Sequence, residues 1–311
     1  MKADTPLRLG SRRSPMAVAQ SRDVARLLTE RTGRPVDIVG VTTLGDVSRE
    51  QLTQIGGTGV FVSALRESLL RREVDFAVHS LKDLPTGAPQ GITLAAIPPR
   101  DDPRDALVAR NGAKLADLPA GARIGTGSPR RAAQLAVLRG DITCVPIRGN
   151  AGTRLAKVRD GELDAVVLAY AGLARIGHTD LVSEIFEPDS MVPSPGQGAL
   201  AVECRAEDAE LTGLLATIDH WQSRAAVTAE RGLLAALEAG CSAPVGAYAA
   251  LSGTQLRLDA VVLGEKMIVR EHGEADATDA ARLGRELAAQ MLALGAADLV
   301  GGNTDRNDAH D

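Results

Sequence analysis

The segment LEAGCSAPVGA, residues 237–247, places a single cysteine in a loop of small residues. A free cysteine is most often a small buried apolar side chain, and we expect that role for Cys144 and Cys204, which lie in predicted strands. Cys241 lies in the loop instead, so two chemical roles stay open for it. It could be a nucleophile, although no histidine lies near it in sequence, or an accessible thiol that holds a prosthetic group.

The segment HSLKDLP, residues 79–85, follows a predicted buried strand. Its polar residues therefore lie at the carboxyl end of a strand, where α/β folds bind their ligands. Asp83 could stabilise a developing cation or transfer a proton, and Lys82 could bind an anion. A helix cap or a surface Lys–Asp pair would explain both residues without a ligand. For His79, on the apolar strand, we expect a hydrogen-bonded core histidine rather than a base.

Two glycine-containing loops, GTGSPRRAAQL at 125–135 and IRGNAGTRL at 147–155, each follow a strand and open a helix. Free backbone N–H groups at a helix start bind anions, and arginine binds carboxylates through two parallel hydrogen bonds. Helix capping alone is enough to explain one such loop. Two of them in one predicted domain favour an anionic ligand with several carboxylates or phosphates. The lack of a GxxxxGK[ST] motif argues against a nucleoside triphosphate.

The chain has 311 residues, enough for two or three domains of about 100–150 residues each. A net charge of −5 and only six aromatic residues argue against nucleic acid as a partner. Of the 35 basic residues, 30 are arginine, for which codon bias and carboxylate binding are both open explanations.

The amino-terminal residues lack the apolar core of a signal peptide, and the longest apolar runs are shorter than the roughly 20 residues of a membrane span. Three widely spaced cysteines match neither a disulfide framework nor a zinc pattern. We therefore expect a cytoplasmic protein with free thiols, no bound metal, and no contact with a membrane or with nucleic acid.

Strands and helices alternate along the chain, which predicts an α/β fold of mostly parallel sheets covered by helices. The strand at 199–205 is too isolated to start a new sheet and is predicted to return to the first one. This gives two α/β domains joined by crossings near 98–104 and 192–199, with the ligand expected in the cleft between them. The predicted boundaries are 1–98 with 199–217 for the first domain, 103–192 for the second, 220–300 for a small third α/β domain, and 301–311 for a disordered tail.

The polar segment 45–59 lies between a strand and a helix and carries three glycines near its end. Its length and glycine content favour a mobile lid beside the cleft, although an ordinary surface connection would also explain it. For a lid, we expect the backbone amides to exchange quickly in the resting protein and to slow down when ligand accumulates.

These segments together resemble the porphobilinogen deaminase family, whose members are also called hydroxymethylbilane synthases. The resemblance runs in family order from residue 8 to 247 and is most specific in HSLKDLP and GCSAPVG. The family fold consists of two domains like type II periplasmic binding proteins around a cleft, plus a small C-terminal α/β domain. The other matching segments are GSRRSPMAVAQ, GGTGVFVSALRESLL, IPPRDDPRDALV, GTGSPRRAAQL, IRGNAGTRLAK, DAVVLAYAGLARIG and PSPGQGALAVECR.

The resemblance implies a monomeric transferase that condenses four porphobilinogen molecules head to tail, each with loss of ammonia. They are added to a covalently bound dipyrromethane cofactor, one per chain. Hydrolysis then releases the linear tetrapyrrole 1-hydroxymethylbilane. Cys241 would carry the dipyrromethane through a thioether, and Asp83 would stabilise the azafulvenium cation that remains when ammonia leaves.

The resemblance also implies which residues bind the cofactor and the substrate, mainly through the carboxylates of the pyrrole rings. For the cofactor these are Lys82, Ser80, Thr126, Ser128, Arg130, Arg131, Arg148 and Gly149. For the substrate they are Arg12, Ser14, Phe61, Arg154, Arg175 and Gln197.

Two positions depart from the family pattern: Thr58 stands where many members have lysine, and Gly127 stands where they have serine. Each change could weaken one carboxylate contact, and neither affects Cys241 or Asp83. Two other function classes remain as alternatives, a non-catalytic two-domain anion-binding module of the solute-receptor type and a cysteine-dependent hydrolase. A ligand released on denaturation would indicate the first, and a thiol that reacts with alkylating agents would indicate the second.

Overall fold

A computed structural model describes residues 5–41, 59–240, 243–264 and 267–301 of the chain. Three of the predicted features lie outside this described part. They are Cys241, the side chain of Phe61, and residues 45–58 of the predicted lid with its Thr58. Residues 302–311, which make up nearly all of the predicted tail, lie outside it as well.

Strands and helices alternate through the first two thirds of the chain, as the sequence predicts. The strands of the described residues are β1 Leu7–Ser11, β2 Val36–Gly40, β3 Phe76–Ser80, β4 Ile92–Ala96, β5 Asp105–Ala109, β6 Arg123–Thr126, β7 Thr143–Pro146, β8 Ala165–Ala169, β9 Glu184–Phe186, β10 Leu200–Arg205, β11 Val245–Ser252, β12 Gln255–Leu263 and β13 Ile268–Asp276. Their α-helices are Pro15–Thr32, Gly59–Leu70, Pro129–Leu138, Ala151–Arg159, Tyr170–Arg175, Ala209–Leu215, Trp221–Ala236, Ala280–Ala293 and Ala296–Gly301.

The first sheet contains five strands in the order β2-β1-β3-β10-β4. β1 is parallel to both β2 and β3, whereas β10 is antiparallel to β3 and β4. The predicted return of the strand at 199–205 to the first sheet is therefore confirmed. Every residue of β10 is buried, because a strand inside a sheet that is covered on both faces has no solvent side.

The helix Pro15–Thr32 shows how local sequence fixes an element of this sheet. Ser14 caps its amino terminus, and the helix ends at Gly33, whose φ of 70° is in the left-handed region that glycine adopts readily. Between these ends, Val24 and Leu28 are buried in the core of the first sheet. The spacing of four residues puts both side chains on one face of the helix.

The second sheet repeats this arrangement in the order β7-β6-β8-β5-β9. β6 is parallel to β7 and β8, and β5 is antiparallel to β8 and β9. In each sheet the antiparallel inner strand is the one that follows a crossing, β5 after the first and β10 after the second. The parallel strands leave their carboxyl ends, and the loops that follow, at one edge of each sheet.

The third sheet is antiparallel in the order β11-β12-β13. Its core includes Leu256 and Leu258 from the central strand. Leu233 and Leu287, from the helices Trp221–Ala236 and Ala280–Ala293, complete that core.

Contacts between residues divide the chain into two compact units, 1–101 with 199–224 and 102–198 with 225–311. The first unit contains the first sheet, and the second unit contains the other two. A buried cluster that includes Val192, Val261 and Leu263 lies within the second unit. The further division of this unit into domains at 103–192 and 220–300 stays a prediction. Of the helices in the described ranges, none is long and apolar enough to cross a membrane.

Candidate active site

The carboxyl ends of β1 and β3 form a first candidate site, in the first unit. These two strands are parallel neighbours, so the residues that follow them lie at the same edge of the first sheet. Each of the predicted site residues at this edge is half-buried. They are Arg12, Ser14, Ser80, Lys82 and Asp83.

Asp83 is the last residue of a 3-10 turn, Leu81–Asp83, that directly follows β3. The Leu81 amide donates to the carbonyl of Ala199 at 3.0 Å, and the Leu84 amide donates to the carbonyl of Leu81 at 3.1 Å. Leu81 is fully buried, which fixes the turn on the sheet, whereas Asp83 is only half-buried. The fold therefore holds the Asp83 carboxylate at the sheet edge with part of its surface open to a ligand.

His79 is buried within β3, one residue inside this edge. Its Nε2 atom lies 3.3 Å from Oε2 of Glu203, without the alignment of a hydrogen bond. Glu203 accepts two hydrogen bonds from Arg66, at 2.7 and 3.0 Å. Burial raises the pKa of Glu203, but His79 and Arg66 outweigh it and lower that pKa to about 2. The predicted core position of His79 is confirmed, but its Nε2 atom forms no hydrogen bond with the described residues and lies instead beside the ion pair of Glu203 and Arg66.

The carboxyl ends of β6, β7 and β8 form a second candidate site, in the second unit. Thr126 ends β6 and is buried, and Arg148 with Gly149 follows β7. Arg175 ends the short helix after β8, and it donates to the carbonyl of Gly198 at 2.8 Å. The parallel sheet thus brings four of the predicted residues to one edge, although they are far apart in sequence.

Two helices begin at this edge, and each has a capped amino terminus. Ser128 caps the helix Pro129–Leu138 through a hydrogen bond of 3.4 Å from the Arg131 amide. Asn150 caps the helix Ala151–Arg159 through a bond of 2.9 Å from an amide of its first turn. The predicted anion loops are strand-to-helix loops, as expected, and capping is part of what their side chains do.

Arg130 and Arg131, predicted to bind ligand carboxylates, are both buried against the carboxylate of Asp105. Arg130 donates to Oδ2 of Asp105 at 2.7 Å and to the carbonyl of Val192 at 2.6 Å. Arg131 donates from Nε to Oδ1 of Asp105 at 3.0 Å and to the carbonyl of Val167 at 3.0 Å. Each arginine therefore has its first carboxylate partner within the chain, and a ligand contact by either stays a prediction.

Asp105 begins β5 and has no exposed surface. Gln197, predicted to bind substrate, is equally buried and donates a hydrogen bond of 2.8 Å to Oδ1 of Asp105. Burial alone would raise the pKa of Asp105, but the charges of Arg130 and Arg131 outweigh it and hold that pKa well below its usual range. Burial also lowers the pKa of Arg130, despite the attraction of Asp105.

Arg154 and Arg148 differ from this pair, because no carboxylate of the described residues forms an ion pair with either of them. Arg154 donates from Nε to the carbonyl of Gly149 at 2.9 Å. Burial lowers the pKa of Arg154, and the positive charge of Arg131 lowers it further. Arg148 is exposed. Positive charge at this edge thus exceeds what Asp105 neutralises, which favours an anionic ligand.

Three of these residues do not stand out in the sequence: Asp105, Glu203 and Arg66. The local signal for the first two is a carboxylate in a mainly apolar strand, DALVA and ALAVECR, because a buried charge needs a charged partner. The identity of that partner has no local signal at all. Arg66 looks like one of several charged residues on an amphipathic helix.

Cys241 follows the helix Trp221–Ala236 and precedes β11. It lies outside the described residues, but Gly240 and Ala243 on either side of it are described. The Ala243 amide donates to the Gly240 carbonyl at 3.0 Å. The role of Cys241 as an attachment point therefore stays a prediction.

Two family models match the chain. The model described as "Porphobilinogen deaminase, dipyromethane cofactor binding domain" matches residues 7–213. The model described as "Porphobilinogen deaminase, C-terminal domain" matches residues 224–293. Together they extend over both compact units.

Curated relatives match over nearly the whole chain. A porphobilinogen deaminase of Thermobifida fusca is 60% identical over 309 residues, which cover 95% of this chain and 96% of that protein. Porphobilinogen deaminase 1 of Streptomyces coelicolor is 58% identical, with 95% and 97% covered. A porphobilinogen deaminase of Nocardia farcinica is 51% identical, with 95% and 88% covered.

Solved structures match more distantly. The VFT2 domain of BvgS from Bordetella pertussis is 16% identical with a TM-score of 0.41, covering 70% of this chain and 87% of that one. A putative methionine-binding lipoprotein of Bacillus subtilis is 13% identical with a TM-score of 0.42, covering 69% and 90%. Likenesses of this size carry no argument about ligand or activity.

Proposed function

Because this chain belongs to the porphobilinogen deaminase family, we propose that the residues at the carboxyl edge of each of its first two sheets bind carboxylates of pyrrole rings. The protein is a transferase of tetrapyrrole synthesis with a dipyrromethane cofactor. It condenses four porphobilinogen molecules head to tail, with loss of ammonia at each step, and hydrolysis then releases 1-hydroxymethylbilane. The alternative of a non-catalytic anion-binding module has no support among these relatives.

The side chains of the second sheet edge fit the chemistry of dipyrromethane, whose rings carry acetate and propionate groups. Arg130, Arg131 and Arg154 bring three positive charges together, and Asp105 is the one carboxylate of the described residues that pairs with any of them. Guanidinium groups are the side chains best matched to carboxylates. The surplus positive charge is the observation that most directly supports a ligand with several carboxylates here.

The hydroxyl residues and helix starts of the same edge add neutral donors. Thr126 and Ser128 lie where the helix Pro129–Leu138 begins, and Gly149 lies just before the helix Ala151–Arg159. The first amides of a helix carry a partial positive charge that favours an anion. These groups would orient a carboxylate that the arginines attract.

At the first sheet edge, Asp83 performs the electrostatic part of the reaction. When porphobilinogen loses ammonia, the substrate is left with a positive charge, and a carboxylate held at this edge stabilises it. The same carboxylate accepts hydrogen bonds from pyrrole N–H groups and so orients the ring. The buried Leu81 keeps Asp83 in place, so little reorganisation is needed as charge develops.

Lys82, Ser80, Arg12 and Ser14 at the same edge would bind ring carboxylates, with Arg175 doing so in the second unit. Dipyrromethane, when bound, would supply the free terminal pyrrole carbon to which the first unit is joined, and each later unit would join the ring added before it. Cys241 would anchor it through a thioether, which keeps the growing chain on the protein until hydrolysis. The monomeric state and the cytoplasmic location stay predictions.

The intact mass of the purified protein tests this proposal. We expect the chain to carry the added mass of one dipyrromethane, retained after denaturation. Cys241→Ser should remove that mass and the activity while the protein stays folded. The matched control is Cys144→Ser, a change of the half-buried cysteine in β7, which should keep the added mass.

Other outcomes would contradict the proposal in recognisable ways. A Cys241→Ser protein that retains the pigment would show that another residue is the attachment point. A chain of unmodified mass whose Cys241 reacts with iodoacetamide would favour a cysteine-dependent hydrolase instead.

A further inference from the structure

Asp105 is the carboxylate around which the arginines of the second sheet are arranged. Its Oδ2 atom accepts a hydrogen bond from Arg130 at 2.7 Å. Its Oδ1 atom accepts from Nε of Arg131 at 3.0 Å and from Gln197 at 2.8 Å. Nη2 of Arg131 also lies 2.8 Å from Oδ1. Arg131 thus contacts the carboxylate through two nitrogens, which restricts the plane of its guanidinium.

The other contacts of Arg131 restrict it further. Nη1 donates to the carbonyl of Val167 in β8 at 3.0 Å, and Nη2 donates to Oε1 of Gln197 at 3.4 Å. The charge of Arg131 also lowers the pKa of Arg154, which forms no ion pair with the described residues. Arg131 therefore lies between Asp105, whose single charge it shares with Arg130, and Arg154, whose positive charge no carboxylate of the described residues offsets.

We propose that Asp105 is a positioning residue for the arginines that bind the cofactor carboxylates. It holds Arg131 in one orientation and offsets one of the three positive charges that Arg130, Arg131 and Arg154 bring together. The remaining positive charge is available to dipyrromethane, and the arginines need not rearrange when its carboxylates arrive. This inference rests on the proposed function, because it requires that cofactor carboxylates bind at this edge.

The first unit contains a matched ion pair for comparison. Asp75 is also buried and lies beside two arginines, Arg8 at 2.8 Å and Arg205 at 3.8 Å. It immediately precedes β3, so it lies at the opposite edge of its sheet from Asp83. Asp75→Asn removes a buried negative charge beside two arginines, as Asp105→Asn does, but away from every predicted ligand residue.

The test compares Asp105→Asn with Asp75→Asn by melting temperature and by the fraction of purified protein that carries dipyrromethane in intact mass spectra. Both variants should melt at a lower temperature than the wild type. Asp105→Asn leaves two buried guanidinium groups without their carboxylate, and Asp75→Asn removes a buried carboxylate from the exposed Arg8 and the buried Arg205. Only Asp105→Asn should lose cofactor, by about tenfold, the size of effect seen when an outer partner of a binding group is removed.

The wild-type chain, measured in parallel, distinguishes a failure of the proposed function from a failure of the inference about Asp105. A wild type that carries no dipyrromethane would contradict the proposed function. A loaded wild type together with a folded, fully loaded Asp105→Asn would overturn the inference about Asp105 alone.

Asp105→Glu covers the case in which the asparagine variant does not fold. It keeps the charge but moves it by one methylene, so Arg131 must shift. We expect reduced cofactor loading, with a melting temperature closer to that of the wild type than Asp105→Asn has. Loading equal to that of Asp75→Glu would overturn the inference. Failure of both Asp105 variants to fold, when the Asp75 variants do, would show a purely structural role and overturn it as well.

Discussion

Asp83 and Asp117 end two 3-10 turns of the same type, Leu81–Asp83 and Leu115–Asp117. Both turns are held down by a buried leucine at their first position. Asp83 is half-buried at the carboxyl edge of the first sheet, whereas Asp117 is exposed. The pair therefore separates the effect of a carboxylate at the site from the general effect of changing such a turn.

Asp83→Asn should lower the turnover of porphobilinogen by about 10²–10³-fold per loaded molecule, because the amide keeps the shape but cannot stabilise a positive charge. The melting temperature should stay near that of the wild type, since Asp83 is not part of the core. Porphobilinogen consumption measures the effect, and Asp117→Asn is the control that should leave turnover unchanged. Near-normal turnover of Asp83→Asn would show that another group stabilises the cation.

Arg154 differs from Asp83 in that it is a cation whose charged form the fold destabilises. Burial and the charge of Arg131 both lower its pKa, so the folded chain gains nothing from its positive charge. Arg154→Gln should therefore leave the melting temperature unchanged or raise it slightly. Because the positive charge of Arg154 does not stabilise the fold, we expect this charge to bind a ligand.

Arg154→Gln should raise the KM for porphobilinogen by about tenfold or more, since a hydrogen bond to a charged group contributes about 1.5–3 kcal/mol. Steady-state kinetics on loaded protein measures this. The control is Arg159→Gln on the same helix, where the arginine pairs with Asp160 at the surface. Equal KM values for the two variants would mean that Arg154 does not contact substrate.

The loop between β6 and the helix Pro129–Leu138 passes very close to the end of β7. A Cβ added at Gly127 would lie 2.6 Å from the carbonyl oxygen of Ile147, a backbone atom that cannot move aside alone. Arg148 directly follows Ile147, so this approach brings the two anion loops together. Glycine at 127 is thus a backbone requirement here, in addition to the missing hydroxyl that the sequence indicates.

Gly127→Ala should lower the free energy of unfolding by about 1–3 kcal/mol, because it overpacks a tight contact. It should also reduce cofactor loading, since the loop that carries Arg148 has to shift. Urea unfolding and intact mass measure the two effects. Gly213→Ala is the control, because a Cβ there meets nothing within 4 Å. Unchanged stability of Gly127→Ala would mean that the two loops separate at little cost.

Acid stability is a property of the first unit as a whole. Arg66, His79 and Glu203 join the helix Gly59–Leu70 to β3 and β10 through one buried charged group. The folded chain lowers the pKa of Glu203 from an ordinary 4.5 to about 2. A lowered carboxylate pKa stabilises the fold fully above the unfolded value, and the contribution is lost as the pH falls from about 5 towards 2.

Glu203→Gln should therefore remove about 3 kcal/mol of stability at pH 7 and flatten the loss of stability between pH 5 and 2. Trp221, the single tryptophan of the chain, lies in the first unit and reports its unfolding by fluorescence. Glu67→Gln changes an exposed carboxylate on the same helix and should leave the profile as it is. If the free energy of unfolding of the wild type and of Glu203→Gln varied with pH in the same way, Glu203 would not be the source of this acid sensitivity.

Much of this architecture follows from the sequence, because helices, strands and their caps depend on neighbouring residues. The spacing of apolar residues and the positions of turn residues predict the alternation of strands and helices. The isolation of the strand at 199–205 predicts its return to the first sheet. The same local order places Asp83 directly after a strand, and the matching segments indicate the family. The separation of a third domain, the cleft and the role of Cys241 are still predictions.

The partners of the charged residues were decided by the tertiary structure alone. Arg130 and Arg131 look like free ligand arginines in GTGSPRRAAQL, yet both contact Asp105, which lies 25 and 26 residues away. Glu203 meets Arg66 across 137 residues. The position of a residue along a helix or strand determines which face its side chain occupies. Which faces then contact each other depends on the order of the strands in the sheets. Asp105 and Glu203 therefore meet their arginines only when β5 and β10, the strands that carry them, are paired within their sheets.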